Sequence, residues 1–286
     1  AAIVALLLGI QRVDINTTSL DLRFPLLGTA LLFTVLILEL KDKLLARDEL
    51  EAGRKVQLAL MPSATPHVPG WDVWLYTEPA NDVGGDLVDH LQIDDVRHFV
   101  ALGDVSGKAL PAALLSVKLQ ATLRALAPNF DDLGRLGLAV NYILQRDGVA
   151  SRYASLVYLL LTADTGRVRV LNAGHMPPIV IRGDTVTVMD QGSMVLGIMP
   201  EATFSEQAVT LAAGETLIVY SDGVSEAMNE ADDFFGEDRL YAIARESSGE
   251  PVAVVGARIL EAVARFIGHA RPNDDVSLVV VRRSAR

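Results

Sequence analysis

Cysteine is absent from the 286-residue chain. That absence excludes a disulfide framework, a thiolate zinc site and a cysteine nucleophile, and it fits a reducing compartment. Positive charge is scarce: 25 Lys and Arg stand against 36 Asp and Glu, a net charge of −11. Nucleic acid is therefore a poor partner, because phosphate backbones demand Lys/Arg patches. The five histidines include no pair at ligand spacing, which disfavours zinc. There is no internal repeat, no low-complexity tract and no opening methionine; the chain starts Ala1-Ala2-Ile3, as expected of a piece of a longer protein.

Half of the residues are hydrophobic and 21% are charged, so a sizeable core is easy to build and disorder is not the default. The length accommodates one large domain with a smaller segment, or two modest domains. Residues 1–10 are uninterrupted apolar, and residues 24–38 carry no charge. Two such runs at one end, followed by Lys41, Lys43, Arg47, Arg54 and Lys55, predict transmembrane segments within 1–40 with the positive flank on the cytoplasmic side. A pair of buried helices is the plainer alternative. Leu40, Leu44, Leu45, Leu50, Val56 and Leu60 recur at helical spacing, and Pro62 stops the pattern. Residues 41–62 therefore read as a linker helix, able to pair with a second copy in a homodimer or simply to pack.

From Trp71 onward short strands and turns take over. Strands are predicted at 71–76, 97–103, 153–161, 167–172, 179–182, 185–189, 205–211, 216–220 and 276–281. Helices are predicted at 111–126, 132–145, 238–246 and 252–267. Asp164-Thr165-Gly166 is a hairpin turn by its chemistry. Strand runs alternating with paired helices imply an α+β, layered α/β/β/α domain over 63–286.

Four acidic clusters carry the candidate chemistry: Gly84-Gly85-Asp86, Gly103-Asp104-Val105-Ser106-Gly107, Ser221-Asp222-Gly223 and Asn273-Asp274-Asp275. Each by itself reads as an ordinary turn, since Asp and Gly dominate turns. Together they place acids at strand ends, where side chains can gather on one edge of a sheet. Hard divalent cations such as Mg²⁺ and Mn²⁺ take oxygen ligands, and crowded carboxylates need such positive charge nearby.

In order, the strings QLALMP (57–62), PANDVGGD (79–86), GDVSG (103–107), NAGHMP (172–177), Leu196-Gly197-Ile198, YSDG (220–223) and DDVS (274–277) resemble the PPM (PP2C-type) phosphatases, and among them the bacterial SpoIIE/RsbU-like branch. The likeness runs from about Val56 to Arg282. It implies a β-sandwich of two antiparallel sheets flanked by helices, with two Mn²⁺ or Mg²⁺ ions at one end. By motif position it implies Asp86 and Asp104 as shared acidic ligands, the Val105 backbone carbonyl as a further one, and Asp222 with Asp274 completing the first metal. Asp275 stands where many relatives carry an amide, so the choice between Asp274 and Asp275 stays open. The implied nucleophile is a metal-bridging water held by Asp86 and Asp104, and the implied substrate is phosphoserine or phosphothreonine on a partner protein. In that branch the partner is often a STAS-type anti-sigma-factor antagonist in bacterial signal transduction. With the N-terminal runs in the inner membrane, the catalytic domain would face the cytoplasm.

The eukaryotic relatives place a histidine soon after the second aspartate, whereas here the residues are Val105-Ser106-Gly107, which leaves the general acid open. His175 reads as a structural histidine fixing the turn before Pro177, or as a substrate contact. Gly84, Gly85, Gly107 and Gly223 serve backbone turns beside the acids. Lys108 and Arg152 are candidate phosphate contacts by charge alone, and solvated surface positions are the plainer account. A non-catalytic, membrane-tethered pseudophosphatase and a hydrolase of small phosphoesters are the competing functions. Because the linker helix precedes the first acid cluster, a signal from the membrane end passing through it to the Gly84-Gly85 segment is a further expectation.

Overall fold

The structure is a computed structural model that describes residues 24–147, 152–163 and 165–285, with no account of the side chains of 24–27, 46 and 48. The chain divides into two units, Ala1–Ala52 and Gly53–Arg286. Helix α1 (Phe24–Leu60) runs without a break through what the sequence predicts as an apolar span followed by a separate linker. No proline interrupts it before Pro62, and Gly53 alone is too mild a helix breaker to end it. In the first unit, the apolar residues from Leu31 to Leu38 are all more than half exposed. Among the described residues no helix is long and apolar enough to cross a membrane. The apolar run at 1–10 lies outside the described residues.

The second unit holds two five-stranded sheets, all of whose pairings are antiparallel. The first has the order β1-β10-β9-β6-β7, built from β1 (Trp71–Glu78), β6 (Ile179–Arg182), β7 (Thr185–Val188), β9 (Thr216–Tyr220) and β10 (Val276–Arg283). The second has the order β2-β3-β4-β5-β8, built from β2 (Leu87–Gln92), β3 (Arg97–Val105), β4 (Ala154–Thr162), β5 (Arg167–Ala173) and β8 (Glu206–Thr210).

Alternation along the strands divides the core into three layers. On β3, Val100 and Leu102 face the other sheet, where they meet Val279 and Val281 of β10. Phe99 and Ala101 face the opposite way, onto α2 (Ala109–Leu126) and α3 (Leu133–Arg146) through Leu119, Leu123, Leu136 and Val140. On β10, Leu278 and Val280 turn toward α5 (Glu237–Glu246) and α6 (Val252–Ile267) through Leu240, Val255 and Ile259. Strands buried on both faces read as continuous apolar runs, which is why most were visible in the sequence. The predicted α/β/β/α layering is what forms.

Strand β2 is the exception. Its sequence LVDHLQ carries Asp89 in the interior, fully buried, where Arg124 of α2 binds the carboxylate through Nε at 2.9 Å and Nη2 at 2.6 Å. A buried acid is tolerated only when it is paired, and the partner lies 35 residues away. Local pattern could not reveal it.

Candidate active site

The acids come from four chain segments. Asp86 immediately precedes β2, and Asp104 is the penultimate residue of β3. Asp222 opens the one-turn helix α4 (Asp222–Ser225) just past β9. Asp274 and Asp275 lead directly into β10. Each sheet therefore contributes acids, and the loop before β2 meets the segment before β10, where the Asp275 carboxylate accepts the Gly85 and Asp86 amides. Burial raises Asp104 to about 6, with Asp222, Asp274 and Asp275 adding repulsion. Burial also pushes Asp86 well above the usual carboxylate range, opposed by a hydrogen bond from Ser277 and reinforced by Asp104, Asp275 and Asp222. Asp222 is raised by burial and then by Asp274 and Glu226.

The surrounding backbone adds acceptors. A Cβ on Gly85 would lie 3.0 Å from the Val105 carbonyl oxygen and 3.3 Å from Asp104 Oδ1, so the loop approaches the β3 end closely at this glycine. Crowded, partly buried carboxylates beside a carbonyl have the donor chemistry of a hard divalent cation, and the residues fit Mg²⁺ or Mn²⁺ in that sense. The gathering is loose: among the described residues, no three His, Asp or Glu side chains converge tightly enough to hold one ion.

Asp274 and Asp275, left open by the sequence, have different surroundings. The buried Asp275 carboxylate accepts the Ala80 amide at 2.8 Å, the Gly85 amide at 2.7 Å and the Asp86 amide at 3.3 Å. It stitches the 80–86 loop to the start of β10, which commits its oxygens to backbone. Asp274 is exposed, and one of its oxygens accepts the Asp275 amide at 2.9 Å. Gly223 packs against this segment: a Cβ there would fall 2.0 Å from the Asp275 carbonyl oxygen. Ser221 Oγ donates to that same carbonyl at 3.1 Å and accepts the Ser277 amide at 2.9 Å.

The remaining predicted residues surround the acids. Gly84 is held by Gln57 of α1, whose Nε2 donates to its carbonyl at 2.9 Å and whose Oε1 accepts its amide at 3.3 Å. Gly107 has φ +112°, and a Cβ there would strike the Arg152 guanidinium, which donates to the Ser106 carbonyl at 2.8 Å. Lys108 precedes α2 and makes no side-chain cap. His175 has its backbone locked by Asn172, which accepts its amide at 2.9 Å and donates to its carbonyl at 3.2 Å. Its ring reaches Ser155, with Nδ1 2.7 Å from Oγ, and burial lowers its pKa to about 4.

Several site residues were not singled out from sequence. Ser277 donates to Asp86 Oδ2 and is linked to Thr77 Oγ1 at 2.8 Å. Gln57, Ser221 and Ser277 lie inside the QLALMP, YSDG and DDVS strings, so a signal existed for them; Thr77 and Ser155 gave none. A cavity lined by Gln57, Thr77, Gly84, Asp86, Ser116 and Gln120 adjoins the Asp86 side of the site.

Comparison with known proteins agrees with this architecture. The family model for stage II sporulation protein E (SpoIIE) matches residues 94–284. Protein IcfG of Synechocystis is 24% identical over 95% of this chain and 48% of its own length. Phosphoserine phosphatase RsbU of Bacillus subtilis is 23% identical over 83% of this chain and 70% of its own. The chain thus spans about half of the first of these relatives. The solved SiaA-PP2C domain of Pseudomonas aeruginosa superposes with a TM-score of 0.71 at 17% identity, covering 85% of this chain and 98% of that domain. With two antiparallel sheets flanked by helices and a family model spanning most of the second unit, the chain belongs to the SpoIIE family of PP2C-type phosphatase domains.

Proposed function

We propose that this chain hydrolyses phosphoserine or phosphothreonine on a partner protein in bacterial signalling, using two Mn²⁺ or Mg²⁺ ions held by Asp86, Asp104, Asp222, Asp274 and the Val105 carbonyl. The observation that carries the reading is that both sheets deliver acids to one end of the sandwich: the Asp275 carboxylate accepts the Gly85 and Asp86 amides, and a Cβ on Gly85 would lie 3.3 Å from Asp104 Oδ1. Buried acids in such a group are destabilised unless a cation joins them. Bound ions would supply positive charge to the phosphate and lower the pKa of the attacking water.

The protein's own part is to hold the acids in place. Ser277 and the 80–86 loop orient Asp86. Asp275 fixes that loop and leaves Asp274 as the ligand from this pair. The partner class argued from the resemblance is a STAS-type anti-sigma-factor antagonist. RsbU, by its name a phosphoserine phosphatase, supports the reaction type.

The test is Mn²⁺-dependent phosphate release from p-nitrophenyl phosphate and from a phosphorylated STAS protein. An Asp104→Asn variant should lose at least about a hundredfold in rate; full activity in that variant would sink the metal-dependent reading. The competing reading is a non-catalytic interaction module. Absence of phosphate release from the unaltered chain at any Mn²⁺ concentration would select it.

A further inference from the structure

We infer that the groove between α6 and the end of β1 docks the segment of the phosphoprotein substrate beside its phosphorylated residue, and that it selects an apolar side chain next to Lys or Arg. The inference rests on the phosphatase reading above and names what that site recognises. Helix α6 lies tight against β1 near its start: a Cβ on Gly256 would fall 2.0 Å from the Trp74 ring, which stacks on Tyr76 at 5.7 Å. Farther along, a cavity opens between Leu260, Val263 and Ile267 of α6, Tyr76 of β1 and Val276 of β10. Pro79, Ala80 and Asp274 also line it, so the groove runs up to the acid proposed above as a metal ligand. That wall is fixed, because Ala80 donates its amide to Asp275 at 2.8 Å.

Three features name the occupant. The first is continuity: Asp274 belongs both to the acids and to the groove, so a chain whose phosphate meets the acids is led into it. From Leu260 to Ile267 the helix advances about 10 Å, the length of about three residues of extended chain. The second is the lining. At about 360 Å³ the cavity stands near the lower limit of small-molecule pockets. Its one side-chain donor, the Tyr76 hydroxyl, is engaged with Glu78. The groove can therefore bury an apolar side chain but has little with which to orient a cofactor. The third is charge. Glu78 and Glu261 are exposed at the rim, and the last turn of α6 adds the negative end of its dipole. No basic residue lines the groove; Arg265 of α6 lies instead in a cavity with Phe235 and Arg239. With Asp274 bound to a cation, Glu78 and Glu261 remain to attract Lys or Arg and to repel an acidic residue.

The test uses the full chain and three symmetric peptides: Lys-Leu-Ala-pSer-Ala-Leu-Lys, its version with Glu for Lys, and its version with Ser for Leu, each labelled with fluorescein. Phosphate release with Mn²⁺ is measured for each, beside p-nitrophenyl phosphate. The unaltered chain should show a kcat/KM about tenfold higher for the Lys-Leu peptide than for either of the others, with the difference in KM. Salt at about 0.5 M should erase the Lys preference and spare the Leu preference. Glu261→Lys should bring the Lys-over-Glu ratio to about one, and Ala264→Arg, which fills the groove, should do the same to the Leu-over-Ser ratio. Equal kcat/KM for the three peptides, or either ratio unmoved in its variant, would overturn the inference. Both positions are exposed; if Ala264→Arg fails to fold, Glu261→Lys carries the test. A dimer of the unaltered chain in sedimentation velocity that Ala264→Arg separates into monomers would give the groove to a second copy, and would also overturn the inference. If no protein releases phosphate from any substrate, the phosphatase reading falls and fluorescence anisotropy decides the groove. Tighter binding of the Lys-Leu peptide, lost in Glu261→Lys, keeps it; equal binding of all three peptides rejects both readings.

Discussion

Gln57 and Gly84, 27 residues apart, are joined by two hydrogen bonds: the Gln57 side-chain amide donates to the Gly84 carbonyl and accepts the Gly84 amide. The next glycine, Gly85, donates its amide to Asp275. Three residues past Gln57, the Leu60 carbonyl at the end of α1 accepts from Gln120 of α2 at 3.1 Å. The end of α1 is therefore tied by hydrogen bonds to the loop that presents Asp86 and to α2.

Gln57→Ala should release the Gly84 backbone while costing only about 1–2 kcal/mol of stability. The expected phenotype is a half-saturating Mn²⁺ concentration raised about tenfold, read from phosphate release across a metal titration. An unchanged metal requirement would show that Asp275 alone holds the loop.

Asp275→Ala should be among the most damaging single changes, because it leaves the Ala80, Gly85 and Asp86 amides without their acceptor. A loss of about 3 kcal/mol is expected in urea unfolding with chelator present, with Asp275→Asn roughly half as harmful because one acceptor oxygen remains. Equal and small losses for both variants would mean that water replaces the carboxylate.

Gly223→Ala places a methyl 2.0 Å from the Asp275 carbonyl oxygen, which is backbone and cannot swing aside. Overpacking of this kind costs about 1–3 kcal/mol. Thermal unfolding should show it, and Mn²⁺ should protect the variant less than the unaltered chain. A melting temperature within error of the unaltered chain would contradict the close packing.

His90 predicts a pH effect remote from the acids. Burial lowers its pKa to about 4 from 6.5, with His98, whose ring stacks on it at 5.5 Å, adding repulsion, Asp89 opposing the shift and Arg124 reinforcing it. Between those two values the unfolded chain binds more protons than the folded one. This contribution to stability is therefore intact above 6.5 and is lost as pH falls toward 4, and because the half-buried ring is screened by solvent the loss at pH 5 is about 1 kcal/mol. His90→Asn should flatten the difference in unfolding free energy between pH 7 and pH 5. Identical slopes for the two proteins would refute the assignment.

The strands that pack on both faces were legible because their apolar runs are local. Thus 216–220 and 276–281 were visible, as was α6, whose Val252, Val255, Ile259 and Val263 recur on one face. Strand β2 was not, because the pairing that permits Asp89 inside it comes from Arg124 on a helix formed later in the chain. The acids were legible as turn motifs, but their differing surroundings were not. Asp274 and Asp275 are neighbours with the same side chain, and only the loop folded over them makes one buried and backbone-bound and the other exposed.

By itself the sequence determined the layered α/β/β/α architecture, the acidic strand ends and the resemblance to PP2C-type phosphatases, because periodicity, turn chemistry and motif order are properties of short stretches. Tertiary structure alone decided which residues hold those stretches together: Gln57 on Gly84, Ser277 on Asp86, Ser155 beneath His175. Hydrogen bonds between residues 20 to 191 positions apart leave no local periodicity to read, and the partners become neighbours only when the two sheets close on each other.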